Sequence, residues 1–245
     1  MPTQIDVENA AKALRARMKV LNRSMEAGKR YEAWLMLTIG IWLRNRKKIT
    51  TRWKDSQGNP TRVAIFRGNG GKIHPVRNGP SKPGYIQIKH PKQEYELHNS
   101  VKYFGASRTL HELDLSIIPS SIGMLWRSAA GGYPIEHPNV SLELKHYGES
   151  LAVGFARAMI LTGIDLTMTS KLTSSPDIAW RAPRYGTVGG QMSMTYRAAV
   201  TSASETGSFG PLATYYRSHL WDDFKPGNIT SIEGLTDVIY DQLTR

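Results

Sequence analysis

Apolar residues in the first segment recur at Val7, Ala11, Leu14, Met18, Leu21 and Met25, in alternating steps of four and three. That spacing predicts one amphipathic helix, and Lys12, Arg15, Arg17, Lys19 and Arg23 between the apolar positions give it a basic face. Its stripe can pack on the chain's own core or serve as the seam of a short coiled coil between two copies. Gly28 separates it from a second helix, Lys29 to Arg46. There Tyr31, Trp34, Leu35, Thr38, Trp42 and Leu43 form one face, and Met36, Leu37, Ile39 and Ile41 widen it. A helix apolar nearly all round is a buried one. Glu32 is its exception, a carboxylate in the first turn, where a partly exposed acid would favour the positive end of the helix dipole.

From residue 60 the period changes to two. Val63 and Ile65, then Tyr85, Ile86 and Ile88, then Val101 and Tyr103, then Leu113, Leu115 and Ile117 read as short strands. Glycine, proline and asparagine clusters such as Gly68-Asn69-Gly70-Gly71 and Asn78-Gly79-Pro80 punctuate them. Val140 to Lys145 is a further strand, after a connection with a short helix around Ile122 to Ser128. A long helix follows from Leu151 to Gly163, with Ser150 as its N-cap. The tail holds one more strand, Gln191 to Tyr196, and a closing helix, Ile232 to Leu243. The order implies an α/β fold, a central mixed sheet flanked by helices with an N-terminal amphipathic helix. The expected divisions are residues 1–28 for that helix, 29–170 for the core and 171–245 for an extension packed on it.

Charge alters this picture. The 245 residues carry 32 Lys+Arg against 20 Asp+Glu, a net charge of +12. The first hundred hold 20 basic and 7 acidic residues, whereas the remainder is close to neutral. Basicity confined to one part of the chain implies a specific anionic partner. The densest run, Arg44, Arg46, Lys47, Lys48, Arg52 and Lys54, lies among Trp42 and Trp53 and is the first candidate for contact with nucleic acid. No cysteine is present, which excludes a disulfide framework, a thiolate zinc site and a cysteine nucleophile. No stretch reaches the ~18 apolar residues that span a bilayer, and the N-terminus does not resemble a signal peptide, so a cytoplasmic protein with no membrane partner is expected.

Two strands carry acids that structure alone does not require. A period of two puts Glu112, Asp114 and Ser116 on one face, with Leu113, Leu115 and Ile117 opposite. The same rule groups Ser141, Glu143 and Lys145 against Leu142 and Leu144. If these strands are neighbours, Glu112, Asp114, Glu143 and Lys145 converge. Clustered carboxylates repel one another unless a divalent cation binds among them. Magnesium takes one or two carboxylates together with waters and phosphate oxygens, a role that suits Asp114 and Glu143. A lysine two residues from such a glutamate can hold an attacking water or steady the charge on a phosphorus-centred transition state. The plainer use of the same residues is a solvated sheet face with Glu143 and Lys145 paired across it.

An acid on one strand, Glu-x-Lys on the next and a helix behind them resembles the core of the restriction-endonuclease-like nucleases, the PD-(D/E)XK superfamily. The residues concerned are Gly105 to Asp114, then Leu142-Glu143-Leu144-Lys145-His146-Tyr147 and the helix Leu151 to Gly163, with Lys29 to Arg46 as the helix that precedes the sheet. The resemblance covers roughly residues 29–170. It departs from the pattern in having Leu113, not proline, before Asp114. By position it implies that Asp114 and Glu143 are metal ligands and that Lys145 orients or activates the water. Glu32 and Glu112 would be accessory acids. His146 is a candidate for phosphate contact, and Ser107 or Arg108 for contact with a nucleic-acid backbone.

The expected activity is that of a Mg2+- or Mn2+-dependent DNA endonuclease, with defence against foreign DNA as its context. Duplex cutting needs two sites, so a homodimer is expected, with the heptad stripe as its candidate seam. The alternative is a basic nucleic-acid-binding protein that keeps the fold without catalysis.

Overall fold

The computed structural model describes residues 1–22, 25–135, 138–145, 153–172, 196–202 and 218–244. His146, Ser150 and residues 191–195 fall outside them, as does Arg23.

Helix α1 runs over Gln4–Leu14 and opens on a capping box: Asp6 N–H donates to Thr3 Oγ1 at 3.2 Å, and Thr3 N–H to Asp6 Oδ2 at 2.7 Å. It ends at Leu14, well short of the helix that the apolar spacing predicts. The chain is extended at Arg15 and left-handed at Arg17 (φ 61°), then enters the short strand β1 (Lys19–Val20). The stripe is nevertheless buried: Val7, Ala11, Leu14, Met18 and Met25 all join the main core. Leu21 stays exposed. The seam is consumed inside the chain and cannot also join two copies.

Helix α2 spans Ala27–Lys47 and takes in Gly28, which therefore opens the helix instead of separating two. It is buried over most of its circumference, as its composition requires. Strands β2 (Thr50–Lys54), β3 (Val63–Ala64), β4 (Tyr85–Lys89), β5 (Glu94–Phe104) and β6 (Leu110–Pro119) follow, then helix α3 (Ser120–Ser128) and strand β7 (Val140–Lys145). After β7 come helix α4 (Val153–Leu172), strands β8 (Tyr196–Thr201) and β9 (His219–Trp221), and helix α5 (Ile229–Thr244).

Seven strands form one mixed sheet in the order β2-β4-β5-β6-β7-β8-β9, antiparallel up to the β6–β7 pair and parallel from β7 to β9. The strands β1 and β3 pair separately, in parallel. Residues of α1, α2 and α5 cover one face, building a core with Leu97, Leu115, Ile117, Leu142, Leu144 and Val200. Residues of α3 and α4 cover the other, where Ile73, Val101, Tyr103, Leu113, Ile118 and Leu166 form a second cluster. No helix among the described residues is long and apolar enough to cross a membrane.

On the α3 face a buried ionic group fixes the helix to the sheet. Arg127 forks onto both oxygens of Glu96, the Nη1 bond being 2.6 Å, and His98 Nε2 lies 2.9 Å from Glu96 Oε2. Gly123 lets α3 approach, because a Cβ there would stand 2.1 Å from Glu96 Oε2. Helix α4 is tied to the β5–β6 hairpin through Asp165, which accepts from Ser107 Oγ at 2.6 Å and lies 2.6 Å from His111 Nε2.

Candidate functional site

The site forms where β6 and β7 part. Their ladder pairs Ile117 with Val140, Ser116 with Ser141 and Leu115 with Leu142, and there it stops. Continued, it would set Asp114 opposite Glu143. Instead, Leu144 N–H donates to Asp114 Oδ2 at 2.7 Å, while Glu143 to Lys145 pair with Ala199 to Thr201 of β8. A side chain thus closes the slot that the backbone ladder leaves open.

Opposite Asp114, on β5, stands Ser100, left-handed at φ 46° and missing from the ladder between the Asn99–Leu115 and Val101–Leu113 pairs. This conformation is rare for a residue with a side chain. It inverts the faces of both strands. Leu97 and Leu115 point to the α2 side, whereas Val101 and Leu113 join the cluster on the opposite side. Glu112 consequently does not share a face with Ser116. Ser116 accepts from Tyr103 O–H at 2.7 Å on the α3 and α4 side, while Glu112 meets Lys29 of α2. The period of two breaks because Ser100 interrupts it. In β7 the period holds: Leu142 and Leu144 enter the α2-side core, and the Lys145 ammonium lies 4.7 Å from the centre of the Phe155 ring of α4.

Glu32, Glu112, Asp114, Glu143 and Lys145 are therefore neighbours, but they straddle the sheet. Because α2 begins at Ala27, Glu32 falls in its second turn, not its first, and it is buried, with 4% of its surface exposed, unlike the partly exposed first-turn acid that the sequence suggests. Ser100 Oγ–H donates to its Oε2 at 2.6 Å and Lys29 Nζ to its Oε1 at 2.6 Å. Lys29 also reaches Ser100 Oγ at 2.8 Å and Glu112 Oε1 at 3.4 Å.

Glu32, Asp114 and Glu143 hold their protons more tightly than isolated acids do. Burial, then the nearby Asp114, push Glu32 up to about 7 against the pull of Lys29 and Ser100. Burial raises Asp114 too; the Leu144 N–H and the cations of Lys145 and Lys29 oppose this, and Glu112 adds to it. Glu143 is raised well above its ordinary value by burial and then by Asp114, with Glu112 and Glu32 adding to the effect and Lys145 resisting it. Burial alone would lower Lys29, but Glu32, Glu112 and Asp114 outweigh it and keep it protonated.

Sequence reasoning missed Lys29, Ser100 and Asn99, whose Nδ2 donates to Glu32 Oε2 at 3.5 Å. Lys29 had a signal: a cation in the first turn of a buried helix opposes the helix dipole, so some carboxylate must hold it there. Ser100 had none, since its role lies in a backbone angle. Lys29→Met is expected to destabilise the metal-free protein by about 1–3 kcal/mol at pH 8. At pH 5, where Glu32 is protonated and needs no counter-ion, the loss should shrink; urea denaturation at the two pH values measures it.

The basic run mostly has work within the chain. Arg44 donates to the carbonyls of Leu14 (2.6 Å) and Ala13 (2.9 Å), finishing the C-terminus of α1. Arg46 pairs with Glu233 at 2.8 Å and Lys47 with Asp237 at 3.0 Å, docking α5. Lys54 closes the β2 turn on Gly58 O at 2.9 Å. Lys48 and Arg52 are exposed, as is Arg108 at the hairpin tip. Arg46 stands ~21 Å along α2 from Glu32. Arg52 and Lys54 lie on the sheet's edge strand, three strands from β6.

Among the described residues no group of three or more His, Asp or Glu side chains is arranged to hold a metal ion. The donor chemistry at the slot still suits a hard divalent cation. Two half-buried carboxylates, Asp114 and Glu143, repel each other there, and magnesium needs no more than one or two protein carboxylates when waters and phosphate oxygens complete its shell.

No protein-family model, curated protein or solved structure matches the chain.

Proposed function

We propose that the chain is a metal-dependent nuclease with a restriction-endonuclease-like core, hydrolysing phosphodiester bonds of DNA. The observation that carries this reading is the gathering of Glu32, Asp114 and Glu143 at the point where β6 and β7 separate, each with its carboxyl pushed up, beside Lys145 two residues from Glu143. Acids partly withdrawn from water and kept in mutual repulsion cost stability, and titratable groups perturbed together point to a chemical use for them.

In this reading Asp114 and Glu143 would hold Mg2+ or Mn2+, which when bound supplies a Lewis acid for the phosphate and lowers the pKa of a coordinated water. Lys145, seated over Phe155, orients the attacking water and offsets the negative charge that builds on the phosphate oxygens. Glu32 and Glu112, bridged by Lys29, set the charge around Asp114. A homodimer belongs to the same proposal, joined by a surface other than the heptad stripe.

One observation favours the non-catalytic alternative. The Lys29 ammonium already compensates Glu32 and Glu112 without a metal, as an inert site would require. Plasmid nicking in magnesium against EDTA separates the two. The nuclease nicks only with the metal and loses this activity in Lys145→Ala. Retained cleavage in that variant would overturn the assigned roles, and salt-sensitive binding without cleavage under any divalent metal would favour the binding protein.

A further inference from the structure

We infer that the surface gripping the substrate's phosphate backbone is the glycine-rich segment 68–74 together with Lys82 and Lys102, and that the basic run at the end of α2 is not part of it. The inference rests on the nucleic-acid reading above and says which face the strand crosses. It begins from the juxtaposition of this segment with the acids. Gly71 N–H donates to Ser100 O at 2.9 Å and Lys102 N–H to Gly71 O at 3.0 Å, so the segment runs beside β5 at the residue that builds the site. Ile73 pairs with Gly132 on its other side.

At Gly70 the backbone passes so close that a Cβ would lie 1.9 Å from Glu112 Oε2 and 2.7 Å from Lys102 Cε. A side chain would cover the acid; glycine leaves the main chain bare against it. Lys102 is the cross-strand partner of Glu112, yet the cation that Glu112 meets within 4 Å is Lys29.

Beyond Glu112, which pairs with Lys29, the charge along this track is positive. Among the described residues no carboxylate lies within 4 Å of Lys72, Lys82 or Lys102, in contrast to Arg46 and Lys47, which are both paired. Burial depresses the pKa of His74, and the positive charges of Arg67, Lys82 and Lys72 add to the effect. Arg67 itself is buried, with Nη1 on Asn99 O at 3.0 Å and Nη2 on Lys72 O at 3.4 Å, so it stiffens the segment from below. Unpaired cations on a pinned, side-chain-poor segment that abuts the acids suit a polyanion whose charges repeat along a backbone. Each lysine that neutralises a phosphate releases counterions and steepens the salt dependence of binding.

The test is fluorescence anisotropy with a labelled DNA duplex of about 20 base pairs in EDTA, over a series of salt concentrations. Lys72→Ala/Lys82→Ala is expected to weaken binding about tenfold or more and to reduce the salt slope by about two, one for each lysine. Lys48→Ala/Arg52→Ala should change affinity less than about twofold. The charge-reversed Lys72→Glu/Lys82→Glu should weaken it further, with an unaltered circular dichroism spectrum and melting temperature marking a folded protein. Equal losses in the two alanine pairs, a larger loss in Lys48→Ala/Arg52→Ala, or no binding by the wild type would overturn the track. Cleavage is scored on the same preparations: binding that depends on Lys72 and Lys82 without any cleavage would overturn the nuclease reading and leave the track standing, whereas cleavage unaffected by Lys72→Glu/Lys82→Glu would do the reverse.

Discussion

Glu143→Gln is expected to lose metal-dependent cleavage by about 10²- to 10³-fold and, at pH 8 in EDTA, to melt at a higher temperature than the wild type. The two effects have one origin. Glutamine keeps the shape of the side chain and removes the charge, and Glu143 is a half-buried carboxyl whose ionised form is disfavoured by its withdrawal from water and by Asp114. At pH 8 the folded state either carries that strained charge or holds a proton that the unfolded chain has released. The amide does neither, which should stabilise the fold by about 1–3 kcal/mol, or several degrees in a domain of this size. A glutamate in an ordinary ion pair would behave in the opposite way, because its removal leaves a cation unpaired. Calorimetry and plasmid nicking on the same preparation test both halves. A lower melting temperature would show that Glu143 is held by compensating charge, and cleavage at the wild-type rate would remove it from the chemistry.

Stability in EDTA should fall as the pH rises from 6 to 8, and magnesium should largely restore it. The sign follows from the acids. A carboxyl with its folded pKa raised above the unfolded value contributes stability that is fully present below the unfolded pKa and lost as pH climbs through the folded one. Glu32, at about 7 folded against 4.5, loses its contribution across that interval, and Asp114 and Glu143 act in the same direction. Together they amount to a few kcal/mol. His98 works on the acid side. Burial lowers it to about 4 from 6.5, so it binds a proton more readily when unfolded, and its contribution is lost as pH falls from 6.5 towards 4. Lys29 is raised above 10.5 and plays no part in this window. Below pH 6.5 His98 and the acids therefore oppose one another, and above it the melting temperature should decline towards pH 8 without metal. A bound dication favours the ionised acids, so its binding near pH 6.5 should release protons, detectable as a calorimetric heat that varies with the buffer. A melting temperature that is flat or rising between pH 6 and 8 in EDTA would mean that these acids are compensated, not crowded.

The structure bears differently on the two halves of the site. Asp114, Glu143 and Lys145 could be singled out because each interrupts an apolar strand with a charge, and local alternation survives folding wherever a strand is regular, as β7 is. The face shared by Glu112 and Ser116 could not be judged in this way. One left-handed residue on the neighbouring strand, Ser100, inverts the alternation, and a single φ angle leaves no trace in a pattern of residue types. The basic run illustrates the same limit. A row of Arg and Lys records charge but not its partner, and the partners of Arg46 and Lys47 lie on α5, nearly two hundred residues further along the chain.

What the sequence determined by itself was local: the buried second helix, the strands with period two, the acids set among leucines and the bias of positive charge towards the first hundred residues. Each depends on the spacing of residue types within about a dozen positions, where helix and strand geometry fix which side chains share a face. The tertiary structure alone decided that the heptad stripe ends at Leu14 and packs inward, and that β6 and β7 part at Asp114. It alone placed Lys29 and Ser100 between the acids and left Lys72 and Lys82 without a carboxylate partner among the described residues. Those outcomes depend on contacts between elements far apart in the chain, whose energies are set by burial and by distance between charges, and spacing along a sequence measures neither.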